Sequence, residues 1–168
     1  LFPSEELTVR PDKRGGAFSG SAIARTDGPG IRVFFTEKIA ERMPEQEIQL
    51  TATSTDLFSA GAAEVFLPRR PDGEGLTFDF RDPYVFRGPD GLWKMLLGSQ
   101  SGTGGVVLLY QTEDNTAAAG WAYVGKLYTE TRYQTSALEC PCLLPMDGDY
   151  RDPATRWALI YGLMNGED

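Results

Sequence analysis

Two stretches of this chain repeat one another. Asp82-Pro83-Tyr84-Val85-Phe86, a turn, and Trp93-Lys94-Met95-Leu96-Leu97-Gly98 are echoed by Cys140-Pro141-Cys142-Leu143-Leu144, a longer turn, and Trp157-Ala158-Leu159-Ile160-Tyr161-Gly162. The proline-to-proline offset is 58 residues and the tryptophan-to-tryptophan offset is 64, so the second copy carries six extra residues in its loop. A repeated strand-turn-strand unit cannot bury both of its faces alone and must stack on its neighbours. In common propeller repeats a four-stranded blade with its connections takes about 40–50 residues, and longer loops raise that figure. The repeat therefore predicts an all-β chain with a β-propeller architecture rather than a sandwich. The 168 residues accommodate about two and a half blades: residues 17–80, residues 81–137 and the first half of a third over residues 138–168.

The local signals agree. Phe18–Ala24, Ile31–Thr36, Glu47–Ser54, Tyr84–Phe86, Trp93–Ser99, Val106–Gln111, Trp121–Leu127, Leu138–Leu144 and Arg156–Met164 are short runs rich in β-branched and aromatic residues. Between them lie turn formers such as Asp27-Gly28-Pro29-Gly30, Pro89-Asp90-Gly91 and Asp147-Gly148-Asp149. No segment sustains a helical period. Glu37–Glu47, charged and holding Pro44, reads as a loop, and Arg69–Gly75 reads as the crossing from one blade to the next.

Composition removes several chemistries. A formal charge of −8 opposes nucleic-acid binding, which needs clustered Lys and Arg. The absence of histidine excludes Ser-His-Asp and Cys-His mechanisms within the chain and removes the commonest zinc ligand. Cys140 and Cys142 are the only cysteines; two residues apart on a strand they lie about 6.6 Å from each other, a poor disulfide geometry, and are expected as free, buried thiols. No run approaches the roughly 18 apolar residues that span a bilayer. The start, Leu1-Phe2-Pro3-Ser4, has neither an initiator Met nor a leader pattern, so the chain is expected to begin inside a longer protein, with its compartment open.

Three runs hold the remaining chemistry: Phe18-Ser19-Gly20-Ser21-Ala22, Phe80-Arg81-Asp82-Pro83 and Glu139-Cys140-Pro141-Cys142. The intervals from Ser19 to Asp82 and from Asp82 to Glu139 are 63 and 57 residues, one run per blade. Two of them supply a carboxyl group, and carboxyl pairs are the main tools of glycoside cleavage. Pro83 biases Asp82 toward extended geometry at the start of a strand. Glu139 lies among apolar residues, where desolvation disfavours the charged form, as a general acid requires. Phe18 offers a stacking face and Ser19 a hydroxyl. A second Arg-Asp-Pro, Arg151-Asp152-Pro153, reads as a turn. The glycines from Gly98 to Gly105 read as a hairpin, and Trp93, Trp121 and Trp157 as core.

Taken together and in order, the three runs resemble glycoside hydrolase family 32, the β-fructosidases, over roughly Phe18 to Leu144. The resemblance implies a five-bladed catalytic propeller acting on terminal β-fructosyl units of sucrose or fructans by a retaining double displacement, without metal or organic cofactor. Carried over, Glu139 matches the general acid/base and Asp82 the carboxylate that holds the fructosyl hydroxyls and stabilises the transition state. Phe18, Ser19, Arg81 and Cys140 match substrate-pocket positions. The family's nucleophile is an aspartate in an Asn-Asp-Pro-Asn-Gly-type run upstream of Phe-Ser-Gly. None precedes Phe18 here, and Asp12 lacks that context. The nucleophile is thus expected outside this chain, and the chain alone is expected to be inactive.

The expected partner is a fructoside, with neither nucleic acid nor membrane, and with possible self-association through open blade edges. Two alternatives stand beside this reading. One is a non-catalytic carbohydrate- or protein-binding β module. The other is a related five-bladed fructosyltransferase or arabinan-cleaving enzyme.

Overall fold

The structure is a computed structural model and describes residues 15–39, 41–133 and 135–165. Ten strands form three antiparallel sheets, with no helix among the described residues and so none long and apolar enough to cross a membrane. The first sheet runs in the order β1 (Gly15–Ala24), β2 (Ile31–Ile39), β3 (Glu47–Ser54), β4 (Glu64–Leu67). The second follows the same order with β5 (Leu76–Arg87), β6 (Trp93–Ser101), β7 (Gly104–Thr112) and β8 (Ala122–Thr129). A third sheet pairs β9 (Thr135–Pro145) with β10 (Trp157–Asn165). Two four-stranded meanders and half of another are a partial propeller of about two and a half blades.

The second sheet is packed between the other two and is apolar on both faces, which is why β6 and β7 read as near-continuous hydrophobic runs. From β6, Trp93, Met95 and Leu97 join Val106, Leu108 and Tyr110 of β7 against Ile23 and Phe34 of the first blade. Phe34 meets the rings of Phe66 and Trp121 edge-on, 5.6 and 6.4 Å away. The alternate residues, Leu96 and Val107, face the third sheet and cluster with Leu138, with Leu143, Leu159 and Tyr161 packed around them. The blade contacts are tight enough to exclude a side chain: a Cβ on Gly98 of β6 would stand 2.0 Å from the Leu138 carbonyl oxygen of β9.

Several expectations change at the strand ends. β5 begins at Leu76, not at Pro83, so the Arg-Asp-Pro run lies inside a strand rather than opening it. β2 continues to Ile39, into the segment read as a loop, and the four-residue edge strand β4 carries too little pattern to be seen in sequence. Asp152 lies in a turn, where its carboxylate accepts the Ala154 N–H. The two cysteines are free, but only Cys142 is partly buried; Cys140 is exposed.

Candidate active site

The three runs lie on β1, β5 and β9, the strands that open the three sheets, and each sits at a β-bulge. Between Ala17, paired with Glu37, and Gly20, paired with Phe35, two residues (Phe18 and Ser19) oppose the single Thr36. Between Arg81, paired with Gly98, and Tyr84, paired with Leu96, Asp82 and Pro83 oppose Leu97. Between Glu139, paired with Gly162, and Cys142, paired with Ile160, Cys140 and Pro141 oppose Tyr161. A bulge breaks the alternation of the strand and re-aims the side chains it carries, and it accommodates proline because its residues fall out of the ladder.

Asp82 is therefore not extended, as the following proline suggested, but left-handed at φ 63°, and Cys140 likewise at φ 46°. Such backbone costs on the order of 1–3 kcal/mol and persists where its surroundings fix it. Here the Asp82 N–H donates to Thr36 Oγ1 at 3.0 Å, and Thr36 Oγ1 in turn donates to Gln49 Oε1 at 2.7 Å. The Asp82 carboxylate accepts the Cys140 N–H at 2.9 Å, so the two bulges are tied directly. Ser21 joins β1 to β5, donating to the Pro83 carbonyl at 2.8 Å and accepting the Val85 N–H at 2.9 Å.

Arg81 is the electrostatic centre. Its Nε and Nη2 donate to Glu139 Oε1 at 3.2 and 3.0 Å. Its Nη1 donates to Asp79 Oδ1 at 2.6 Å and to Glu47 Oε1 at 3.2 Å. The side chain is 5% exposed, that of Glu47 fully buried and that of Glu139 39% exposed. Burial works against the Arg81 charge, but the hydrogen bond to Asp79 and the charges of Glu47 and Asp79 outweigh it and hold the guanidinium above its ordinary value. Asp82 is raised above the usual carboxylate range, first by burial and further by the Glu139 charge, while the Cys140 amide and Arg81 pull it down. The Cys140 thiol is also raised, chiefly by partial burial of the sulfur, against a hydrogen bond with Ser19.

The structure thus brings Arg81, Asp82, Glu139 and Cys140 together, with Ser19 against Cys140. Phe18 is 38% exposed, and Lys38 Nζ stands 5.3 Å from its ring centroid. The apolar surround expected for Glu139 is not there. Leu138 turns into the blade interface while Glu139, its neighbour on the strand, faces the other way onto a cation. Asp12 falls outside the described residues. Sequence reasoning passed over Glu47, Gln49, Thr36 and Lys38. Their signal was the run Glu47, Gln49, Thr51, polar at every second position of β3 and buried throughout. Among the described residues no group of three or more His, Cys, Asp or Glu side chains is arranged to hold a metal ion.

What the arrangement offers chemically is a pair of carboxyl groups in unlike settings. One, Asp82, is buried and hydrogen-bonded to a backbone amide; the other, Glu139, is half open to solvent. Among the described residues only Oε1 of Glu139 is engaged, by Arg81, and Oε2 is left without a hydrogen-bond partner.

Comparison with known proteins sets this geometry in context. Residues 2–167 match the family model described as the glycosyl hydrolases family 32 N-terminal domain. The chain is 30% identical over 159 residues to "Beta-fructofuranosidase, insoluble isoenzyme 2" of Oryza sativa subsp. indica, an alignment covering 90% of this chain and 25% of that protein. It is 47% identical over 47 residues, 27% of this chain and 8% of the other, to a fructan 1-exohydrolase of Aegilops tauschii. A glycoside hydrolase family 32 structure from Bifidobacterium adolescentis superposes with a TM-score of 0.68 at 19% identity, covering 90% of this chain and 32% of that one. The chain therefore spans about a quarter of the curated beta-fructofuranosidase and about a third of the solved structure.

Proposed function

We infer that this chain, which belongs to glycosyl hydrolase family 32, forms the acid/base and fructosyl-binding part of a five-bladed enzyme that cleaves terminal β-fructosyl linkages of sucrose or fructans. The observation that carries the reading is the convergence of the Arg-Asp-Pro and Glu-Cys-Pro bulges, through the Asp82–Cys140 and Arg81–Glu139 hydrogen bonds. The bulges set one of the two carboxyl groups that glycoside cleavage needs, the acid, beside a second carboxylate able to hold the sugar.

In this reading Glu139 donates its proton to the leaving oxygen and then removes a proton from the water that releases fructose. Asp82 accepts hydrogen bonds from the fructosyl hydroxyls, and its buried charge stabilises the cationic transition state. Arg81 fixes Glu139, and Phe18, Ser19 and Cys140 line the fructosyl pocket. A retaining mechanism places the nucleophile about 5–5.5 Å from the acid, and we assign that aspartate to a part of the full-length protein beyond these 168 residues. Residues 17–80, 81–137 and 138–168 are taken as the three blade units.

The test is Glu139→Ala in the full-length protein. Loss of proton donation is expected to lower turnover of sucrose or fructan about 10²–10⁴-fold. Hydrolysis at close to the wild-type rate overturns the assignment.

A further inference from the structure

Arg81 has more acceptors than holding Glu139 requires. One edge of its guanidinium, Nε and Nη2, grips Glu139, while Nη1 is held by Asp79 and Glu47, the second of these on β3 of the neighbouring blade. Glu47 is more firmly placed than any other member of the group. Its Oε2 accepts the Phe80 N–H at 2.7 Å, its Oε1 meets Lys38 Nζ at 3.2 Å, and its side chain has no exposed surface. Asp79 is fixed from a third side by the Thr77 hydroxyl, which donates to Oδ2 at 2.8 Å.

A buried carboxylate is expensive unless it is paired and hydrogen-bonded. β3 nevertheless places one behind the arginine, where an apolar residue would fill the same blade interface at less cost. We propose that Glu47, together with Asp79, is a positioning residue: it pins the rear of the Arg81 guanidinium so that the forward edge presents Glu139 at a fixed angle for proton donation. The inference rests on the reading of Glu139 as the general acid. The physical reason is geometric. Arginine is planar and rigid at its end, so anchoring Nη1 from two directions removes the rotation that would otherwise swing Nε and Nη2, and Glu139 with them. Glu139 needs that constraint because its side chain is 39% exposed and makes no other hydrogen bond among the described residues.

The readout that separates positioning from general damage is the leaving group. Cleavage of a sugar alkoxide needs a proton in the transition state, whereas an aryloxide departs without one. In the full-length protein, Glu47→Gln keeps an oxygen for the Phe80 N–H but turns an amide or a neutral oxygen toward Arg81. It is expected to lower kcat/KM on sucrose, which reports the step in which the leaving group departs, by about 10–100-fold, the scale of a misplacement of about 1 Å. On an aryl β-fructofuranoside, whose first step needs no proton, kcat/KM is expected to stay within a few-fold of wild type. Glu47→Asp, which restores the charge on a shorter arm, is expected to recover part of the sucrose rate. Should Glu47→Gln fail to fold, Asp79→Asn removes the other anchor and carries the same expected signature.

Glu139→Ala is assayed alongside. If it shows no leaving-group dependence, the acid assignment itself falls. If it does, and Glu47→Gln lowers kcat/KM equally on both substrates or on neither, the positioning inference is overturned while the function stands.

Discussion

Gly98 couples the fold to the site, and Gly98→Ala tests that coupling. Gly98 lies opposite Arg81 in the β5–β6 ladder, and the backbone of β9 crosses directly against it. An alanine Cβ there would stand 2.0 Å from the Leu138 carbonyl oxygen, 3.0 Å from its carbon and 3.4 Å from Glu139 Cα. Real Cβ atoms essentially never come under 3.0 Å, so β9 must retreat by about the difference, 3.0 − 2.0 = 1.0 Å. All three atoms are main chain, so no side-chain rotation relieves the clash. Overpacking costs about 1–3 kcal/mol, and a backbone collision belongs at the upper end, about 3 kcal/mol. The melt of the full-length protein should fall below that of wild type by the equivalent of that loss. The same displacement carries Glu139 away from Arg81, and a shift of that size costs about 10²-fold in turnover. Gly102→Ala is the control. It lies at the β6–β7 turn with nothing within 4 Å of its added Cβ and without a left-handed φ, so its melt should equal or slightly exceed that of wild type. Thermal melts and sucrose kinetics on the two variants of the full-length protein decide the matter. A Gly98→Ala protein that melts and turns over like Gly102→Ala would refute the claim that β6 and β9 meet backbone to backbone behind Glu139.

Two further outcomes are expected. Asp82 is raised by burial, so the folded state binds its proton more tightly than the unfolded one. Stability then falls as pH rises from the unfolded value near 3.9 through the folded one, and the deficit remains at neutral pH. Asp82→Asn, which can still accept the Cys140 N–H, should melt higher than wild type at pH 7 while losing turnover, with the gap closing as pH falls; a lower melt at pH 7 counts against the buried charge. The 168-residue chain expressed alone presents β10 with β9 as its one sheet neighbour among the described residues, and with Ile160, Leu163 and Met164 exposed. Unpaired edges and apolar patches invite pairing, so light scattering should find a mass that falls on dilution, and a stable monomer at all concentrations contradicts this.

Much of the fold was legible because both blade faces are buried. Runs such as Trp93–Ser99 and Val106–Gln111 could not be amphipathic helices, being short and bounded by glycine turns, and their doubled spacing gave the repeat. The first half of β5 is not legible for a definable reason: a proline within an apolar run ordinarily marks where a strand opens, whereas Pro83 sits in a bulge inside one. The carboxyl pair was visible as motif. Its support was not, because Thr36, Glu47 and Gln49 act across |i−j| of 31 to 46 residues onto Phe80, Arg81 and Asp82. Strict polar alternation such as Glu47, Gln49, Thr51 ordinarily marks a solvated face. Here it marks the opposite, a polar face buried against the inner strand of the next blade.

The three bulges explain why the site can exist in this architecture at all. In a flat strand packed between blades, side chains alternate between the two neighbouring sheets, and the innermost strand offers its open edge only backbone groups. A residue that must reach toward the centre has to leave the alternation. Two residues opposite one accomplish this at Phe18-Ser19, Asp82-Pro83 and Cys140-Pro141. Left-handed backbone at Asp82 and Cys140 then turns a carboxylate from one strand onto an amide of the next. The prolines that follow Asp82 and Cys140 are tolerated because those positions are out of the ladder, and they cannot rejoin it. Replacing the bulge by regular pairing would return Asp82 to the blade interface, where its charge has no partner. In β5 and β9 the proline marks a bulge on which the site chemistry depends, whereas Asp152-Pro153, the same pair of residue types, lies in a turn and shows that the dipeptide alone does not make one.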